Sequence, residues 1–191
     1  DYLEDLYRDY QDGARTGGGA AHHIDAEFDR IGRELADLPG TVASPSRLRV
    51  MLEHLTSTLH PGVLNDCFYR CETALCTQHT NTVNHPLPLL NTCSTCPNAR
   101  RSGAHLSGLE LAAGQAHQAL RLARARPLSP LQHAALTGHA DQLDQLIAQI
   151  NVMLRIKHAE DLLRHEKDLL EEMVLERTAA LAETGARLQK E

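Results

Sequence analysis

The sequence predicts a mainly α fold, with short helices around a cysteine-rich zinc-binding centre and a long helix at the C-terminal end. Three observations carry this. Aromatic residues are only 3% of the chain, with no Trp and two Phe; that is poor material for a sandwich, a barrel or a base-stacking platform and ordinary for Ala/Leu-rich helices. Apolar residues recur at spacings of three and four on both sides of one central stretch. That stretch, Cys67 to Cys96, contains all five cysteines. Hydrophobic residues make up 42% of the 191, enough to build a core.

Leu3, Leu6, Tyr7 and Tyr10 predict an amphipathic helix over residues 1–12, ended by Gly13. Gly17, Gly18 and Gly19 read as a flexible joint. Phe28, Ile31, Leu35 and Leu38 share one face of a helix that starts at Asp25 and stops before Pro39-Gly40. A third helix, capped by Ser44 or Ser46, carries Leu48, Met51, Leu52, Leu55 and Leu59 and ends at Pro61-Gly62. Beyond Cys96 the residues Leu106, Leu109, Ala113, Ala116 and Leu120 predict a helix broken by Pro127. Ser129-Pro130 starts the next helix, with Ser as cap and Pro at the first position. After it no proline occurs, and Gly138 and Gly185 are the last two glycines, leaving a run of about fifty residues for one or two long helices. Leu143, Leu146, Ile147 and Ile150 continue the apolar face of a helical hairpin. Ile156, Leu163 and Leu170 then keep a seven-residue spacing that Val174, Leu181 and Leu188 resume after a four-residue stutter. Four segments follow: helical 1–63, cysteine-rich and zinc-binding 64–103, a helical hairpin 104–150, and a coiled-coil-like helix 151–191.

Five cysteines within thirty residues, one pair spaced C-x2-C, point to metal binding in a reducing compartment rather than to a disulfide framework. The chain is therefore expected in the cytoplasm, and no apolar run is long enough to span a membrane. The chain opens on Asp1 rather than Met, as a fragment or processed product would. Thiolates bind Zn2+ strongly, and four close a structural tetrahedron with no position left for water. Cys93 and Cys96 form one two-ligand turn. The other pair comes from Cys67, Cys71 and Cys76, with His79 and His85 in reserve. The remaining histidines read as surface or capping residues. There is no P-loop, no G-x-S-x-G, no H-E-x-x-H and no nucleophile with a plausible base, so neither an autonomous enzyme nor a small-molecule substrate is expected. The net charge is −6, so a basic surface would have to be local. Between Pro97 and Pro130 the residues Arg100, Arg101, Arg121, Arg124 and Arg126 face Glu110 alone, a local charge of +4. They are the candidates for contacts to double-stranded DNA phosphates.

The text RLRVMLEHLTSTLHPGVLNDCFYRCETALC, then CSTCPNARRSGAHL, then PLSPLQHAAL resembles the C-terminal tail of actinobacterial phage-type integrases of the tyrosine recombinase class, the TALC and C-P-N words carrying most of the likeness. It covers roughly residues 1–150. The resemblance implies Cys67, Cys76, Cys93 and Cys96 as the zinc ligands. Cys71 stands where that family usually has another residue, and the second pair is closer than the x4 spacing common there. The catalytic H-x-x-R is absent, and Tyr2, Tyr7, Tyr10 and Tyr69 lie beside no such motif. The chain would thus be a non-catalytic accessory region of a recombinase, acting in DNA binding or assembly. The last forty residues, with the ERTAAL word, are similar to the signalling helices of two-component proteins. That likeness implies the alternative, a signalling or dimerisation module in which the C-terminal helix self-associates.

Overall fold

The computed structural model describes residues 2–36, 45–76, 90–123 and 128–188. Among them the chain forms α1 (Tyr2–Gln11), α2 (Ala21–Ala36), α3 (Pro45–Thr56), β1 (Leu59–His60), β2 (Asp66–Phe68), α4 (Leu90–Cys93), β3 (Ala99–Arg100), a 3-10 turn (Gly103–His105), α5 (Leu106–Leu122) and α6 (Pro130–Leu188). The mainly helical class and the long C-terminal helix stand. The chain divides into two compact units, 1–154 and 155–191.

The first unit holds two apolar cores. One joins Leu3, Leu6 and Tyr7 of α1, Ile24, Phe28 and Ile31 of α2, Leu52 and Leu55 of α3, and Phe68 of β2. These are the faces that the three-and-four spacing predicts, extended across elements. Tyr7 meets Phe28 edge to face, ring centroids 5.5 Å apart, the arrangement that aligns a ring's positive edge with its neighbour's negative face. Tyr10, Leu35, Leu48, Met51 and Leu59 are partly buried around this core. The second core packs Leu109, Ala113 and Ala116 of α5 against Ala140, Leu143 and Ile150 of α6. His117 on α5 reaches Asp144 on α6 at 2.9 Å.

Helix ends follow local chemistry. Glu4 and Asp5 sit in the first turn of α1 and Arg8 in its last, matching the sign of the helix dipole at each end. At the start of α6 the Gln132 N–H donates to the Ser129 hydroxyl (3.3 Å) and the Ser129 N–H donates to the Gln132 side chain (3.1 Å), a reciprocal capping box with Pro130 as first helical residue. α2 begins at Ala21, four residues before the expected Asp25, and Leu38 lies outside the described residues. Ser46 falls inside α3 and Ser44 outside the described residues. α3 stops at Thr56, so Leu59 belongs to β1.

Three short strands form an antiparallel sheet in the order β1-β2-β3. Leu59 pairs with Phe68, His60 with Cys67, Asp66 with Arg100 and Cys67 with Ala99. Gly17 continues the ladder opposite Arg101 through two backbone hydrogen bonds, of 2.8 and 2.7 Å. The triple glycine is therefore a seam rather than a joint. Gly18 has φ 96°, and a Cβ there would stand 2.3 Å from the Ala99 carbonyl oxygen; at Gly19 it would stand 2.4 Å from Pro97 Cα. Only glycine lets the backbone before α2 come this close to the 97–101 segment. The seam fixes the cysteine region against the first core.

α6 is one continuous helix of 59 residues. Its last part, 155–188, forms the second unit and carries exposed Ile156, Leu163, Leu170, Val174 and Leu181. No helix among the described residues is long and apolar enough to cross a membrane.

Candidate metal centre

Cys67 lies in the central strand of the sheet, between His60 and Ala99. After β2 the chain turns back on itself: the Thr73 N–H donates to the Arg70 carbonyl at 3.2 Å, and this turn leads to buried Cys76. Cys93 ends α4, and Cys96 follows one tight turn later, where the Ala99 N–H donates to the Cys96 carbonyl at 3.1 Å. Four cysteines from three chain segments, Cys67, Cys76, Cys93 and Cys96, line one cavity of about 510 Å³. Leu109 of α5 and Leu143 and Leu146 of α6 also line it. Cys71 is exposed and does not line the cavity. His79 and His85 lie outside the described residues.

Asn98 joins the two cysteine-bearing turns. It is 2% exposed. Its side-chain N–H donates to the Arg70 carbonyl at 2.9 Å, its side-chain oxygen accepts from the Thr73 hydroxyl at 2.6 Å, and its own carbonyl accepts from the Phe68 N–H at 2.8 Å. One buried residue thus satisfies three polar groups, two with its side-chain amide and one with its main-chain carbonyl, and holds the 70–76 turn against the 96–99 turn. In the sequence this residue is only the last letter of a C-P-N word, and nothing in its spacing announces a clamp.

Burial pushes the Cys67 thiol up to about 12, and negative charge on Cys96, Cys93 and Cys76 pushes the same way. Cys93 is also raised, first by burial and then by Cys96 and Cys76, with Arg101 opposing. The four sulfurs therefore sit within electrostatic range of one another. Among the described residues, however, no group of three or more His, Cys, Asp or Glu side chains is drawn tightly enough together to hold a metal ion. The donor chemistry suits zinc: four soft sulfurs line one cavity, two from the sheet and its following turn and two from a C-x2-C turn.

The proposed DNA contacts need correction. Arg100 and Arg101 are 1% and 4% exposed, so neither offers a guanidinium to a phosphate backbone. Both faces of β3 are covered, and a short strand buried on both sides hides adjacent residues alike. Arg121 is exposed in the last turn of α5, while Arg124 and Arg126 lie outside the described residues.

Arg100 instead enters a buried polar cluster. Its Nε lies 3.7 Å from Asp25, and its guanidinium sits 5.8 Å from the Phe28 ring centroid. Asp66, 0% exposed, accepts from the Tyr2 hydroxyl at 2.8 Å and has His105 Nε2 at 3.6 Å. His105 Nδ1 accepts from the Ser102 N–H at 3.1 Å, so in the neutral ring the proton is on Nε2, facing Asp66. Comparison with protein-family models, curated proteins and solved structures finds no match to this chain.

Proposed function

We propose that this chain is a non-catalytic, zinc-stabilised accessory region of a DNA integrase of the tyrosine recombinase class, contributing to assembly or DNA binding. One observation supports the metal part of the reading: Cys67, Cys76, Cys93 and Cys96 come from three separate segments and line one cavity. The integrase part rests on the sequence resemblance around those same cysteines. Bound Zn2+ would supply cross-linking of four thiolates and no open position for water. The residues around it do the positioning. Asn98 holds the two cysteine turns together, the glycine seam anchors them to α2, and α5 and α6 wall the cavity. Binding free energy at such a site is folding free energy.

Elemental analysis of the reduced full chain tests this reading: one zinc per chain is expected, and a metal-free product with a native disulfide refutes it. With Arg100 and Arg101 buried, DNA contact falls to Arg121 together with Arg124 and Arg126. A salt titration on double-stranded DNA should give a weak, salt-sensitive affinity that drops when Arg121 becomes Ala. Absence of binding even at low salt would leave assembly as the role.

A second reading, a signalling or dimerisation module, is favoured by the exposed Ile156, Leu163, Leu170, Met173, Val174 and Leu181 along 155–188. Apolar residues at this density on a helix favour a partner helix. Sedimentation of the full chain and of a chain cut after Leu154 separates the two readings. If the cut chain is as dimeric as the whole, self-association does not reside in this helix.

A further inference from the structure

We infer that Arg101 is the built-in counter-charge of the cysteine site: a buried guanidinium that pins the Cys93–Cys96 turn and offsets the negative charge of a tetrathiolate metal complex. The inference rests on the zinc reading above and adds to it a positioning residue that the cysteine pattern does not reveal.

Arg101 is 4% exposed and lines the same cavity as Cys67, Cys76, Cys93 and Cys96. Buried arginines are normally paired with an acid, because an unpaired buried charge is strongly unfavourable. Its neighbour Arg100 follows that rule, with Asp25 and Asp66 at hand. Arg101 has no such acid: among the described residues no carboxylate forms an ion pair with it, and its Nε, like the Nε and Nη1 of Arg100, has no hydrogen-bond partner. Its Nη2 donates to the Cys93 carbonyl. Its backbone is fixed by the two hydrogen bonds to Gly17, so the side chain is delivered to the cavity from a rigid position.

A buried guanidinium that lines a cavity with four thiols and has no carboxylate partner calls for an anion in that cavity. Zn2+ held by four thiolates is such an anion, since the metal's two positive charges leave two negative charges uncompensated. Arg101 would bring that to one and lend N–H donors to the sulfurs, as outer partners of metal ligands commonly do. The bond to the Cys93 carbonyl adds a second effect, because it holds the two-ligand turn in place before the metal arrives.

The test uses the full reduced chain and two variants, Arg101→Lys and Arg101→Gln, titrated with zinc against a chromophoric chelator. Lys keeps the charge; Gln removes it and keeps a neutral, shorter donor. We expect Arg101→Gln to bind zinc about 10–100-fold more weakly than the unaltered chain, and Arg101→Lys to recover a substantial part of that loss. Equal affinity of the two variants overturns the inference. Cobalt substitution gives an independent readout: loss of the positive charge makes the thiolates easier to oxidise, so the thiolate-to-Co2+ absorption of Arg101→Gln should move to longer wavelength than that of Arg101→Lys. An unmoved band overturns the inference as well. If the unaltered chain binds no zinc, the zinc reading fails and takes this inference with it; unaltered binding with indistinguishable variants refutes the role of Arg101 alone.

Discussion

Asp66 has no exposed surface, and three groups depend on it or on its charge. It accepts the Tyr2 hydroxyl, faces the protonated Nε2 of His105, and supplies negative charge near Arg100, whose closest acid is Asp25 at 3.7 Å. One Asp66 oxygen, one Asp25 oxygen and two Arg100 nitrogens have no hydrogen-bond partner, so the cluster is held by charge balance more than by bond geometry. Removing one member of such a set leaves the others buried and uncompensated. Asp66→Ala should destabilise the fold by about 3–5 kcal/mol, read from urea unfolding; a loss below about 1 kcal/mol would show that Arg100 does not need this partner. The thiols give a second expectation at this scale. In metal-free, reduced protein at pH 8, a thiol pushed up to about 12 is thiolate in about one molecule in 10⁴, and the thiolate is the reactive form. Exposed Cys71 should therefore be alkylated first and Cys67 far behind it, as peptide mass spectrometry would resolve. Comparable rates at the two positions would contradict the burial of Cys67. Raising the pH through about 12 should close the gap, because that is where Cys67 ionises. Tyr10 supplies the stability counterpart. Burial, and then its bond to Asp29 at 2.7 Å, raises its hydroxyl to about 12 from an ordinary 10.0. The folded state thus holds this proton more tightly than the unfolded chain. Its contribution is complete below pH 10 and is lost as pH climbs through about 12. Tyr10→Phe should lose stability less steeply across that window in alkaline denaturation, and an unchanged slope would remove Tyr10 from the account.

Among the elements, the glycine seam places the tightest demand on the sequence. Gly18 combines a left-handed φ with a carbonyl 2.3 Å from where a Cβ would go, and at Gly19 the obstacle is the backbone of Pro97. Neither obstacle is a flexible side-chain end, so the backbone itself would have to shift. Gly19→Ala should destabilise the first unit by more than the roughly 1 kcal/mol typical of a point substitution, and it should weaken zinc binding too, since Pro97 follows Cys96 directly. Thermal melts and a zinc titration on the same variant test both halves; a stable variant with unaltered zinc affinity would show the seam to be adaptable. The same element marks how far the sequence could be read. Helices were legible because apolar side chains repeat at the helical period: Leu3, Leu6 and Tyr7, or Phe28 and Ile31, show their buried face in their spacing. The sheet was not, because strands of two or three residues are too short for alternation to register, and pairs such as Asp66 with Arg100 join positions far apart in the chain. Three consecutive glycines look the same whether they serve freedom or close approach, and only the partner backbone decides. Arg100 and Arg101 sat in a locally basic stretch, and charge counting carries no information about which side chains turn inward. The gathering of four cysteines could be anticipated from their crowding, whereas Asn98 and Arg101, which position them, became visible only once three segments were brought together.

For the molecule as a whole, the division at Leu154 and Arg155 separates two kinds of stability. Residues 1–154 contain both apolar cores, the sheet, the seam and all four cavity cysteines. Residues 155–188 are a helix whose large apolar side chains are exposed, with i,i+4 pairs such as Lys157–Asp161 at 2.7 Å and Lys167–Glu171 at 3.3 Å. Such surface pairs contribute only a few tenths of a kcal/mol each. If the cysteine site holds zinc, its binding energy enters the first unit alone. At free zinc about 1,000-fold above its dissociation constant the ligand adds about 4 kcal/mol, and for a domain of this size that corresponds to a melting temperature about 8–16 °C higher. Chelation should therefore lower the melting temperature by that order in the full chain, and by nearly the same amount in a chain cut after Leu154. The matched pair matters because metal released from a site elsewhere, or from adventitious binding to the exposed histidines of the long helix, would leave the cut chain with a smaller shift. A cut chain that no longer responds to chelator would move the metal out of the cysteine cavity, whereas equal shifts would assign the stabilisation to 1–154 and leave 155–188 free to act in association alone.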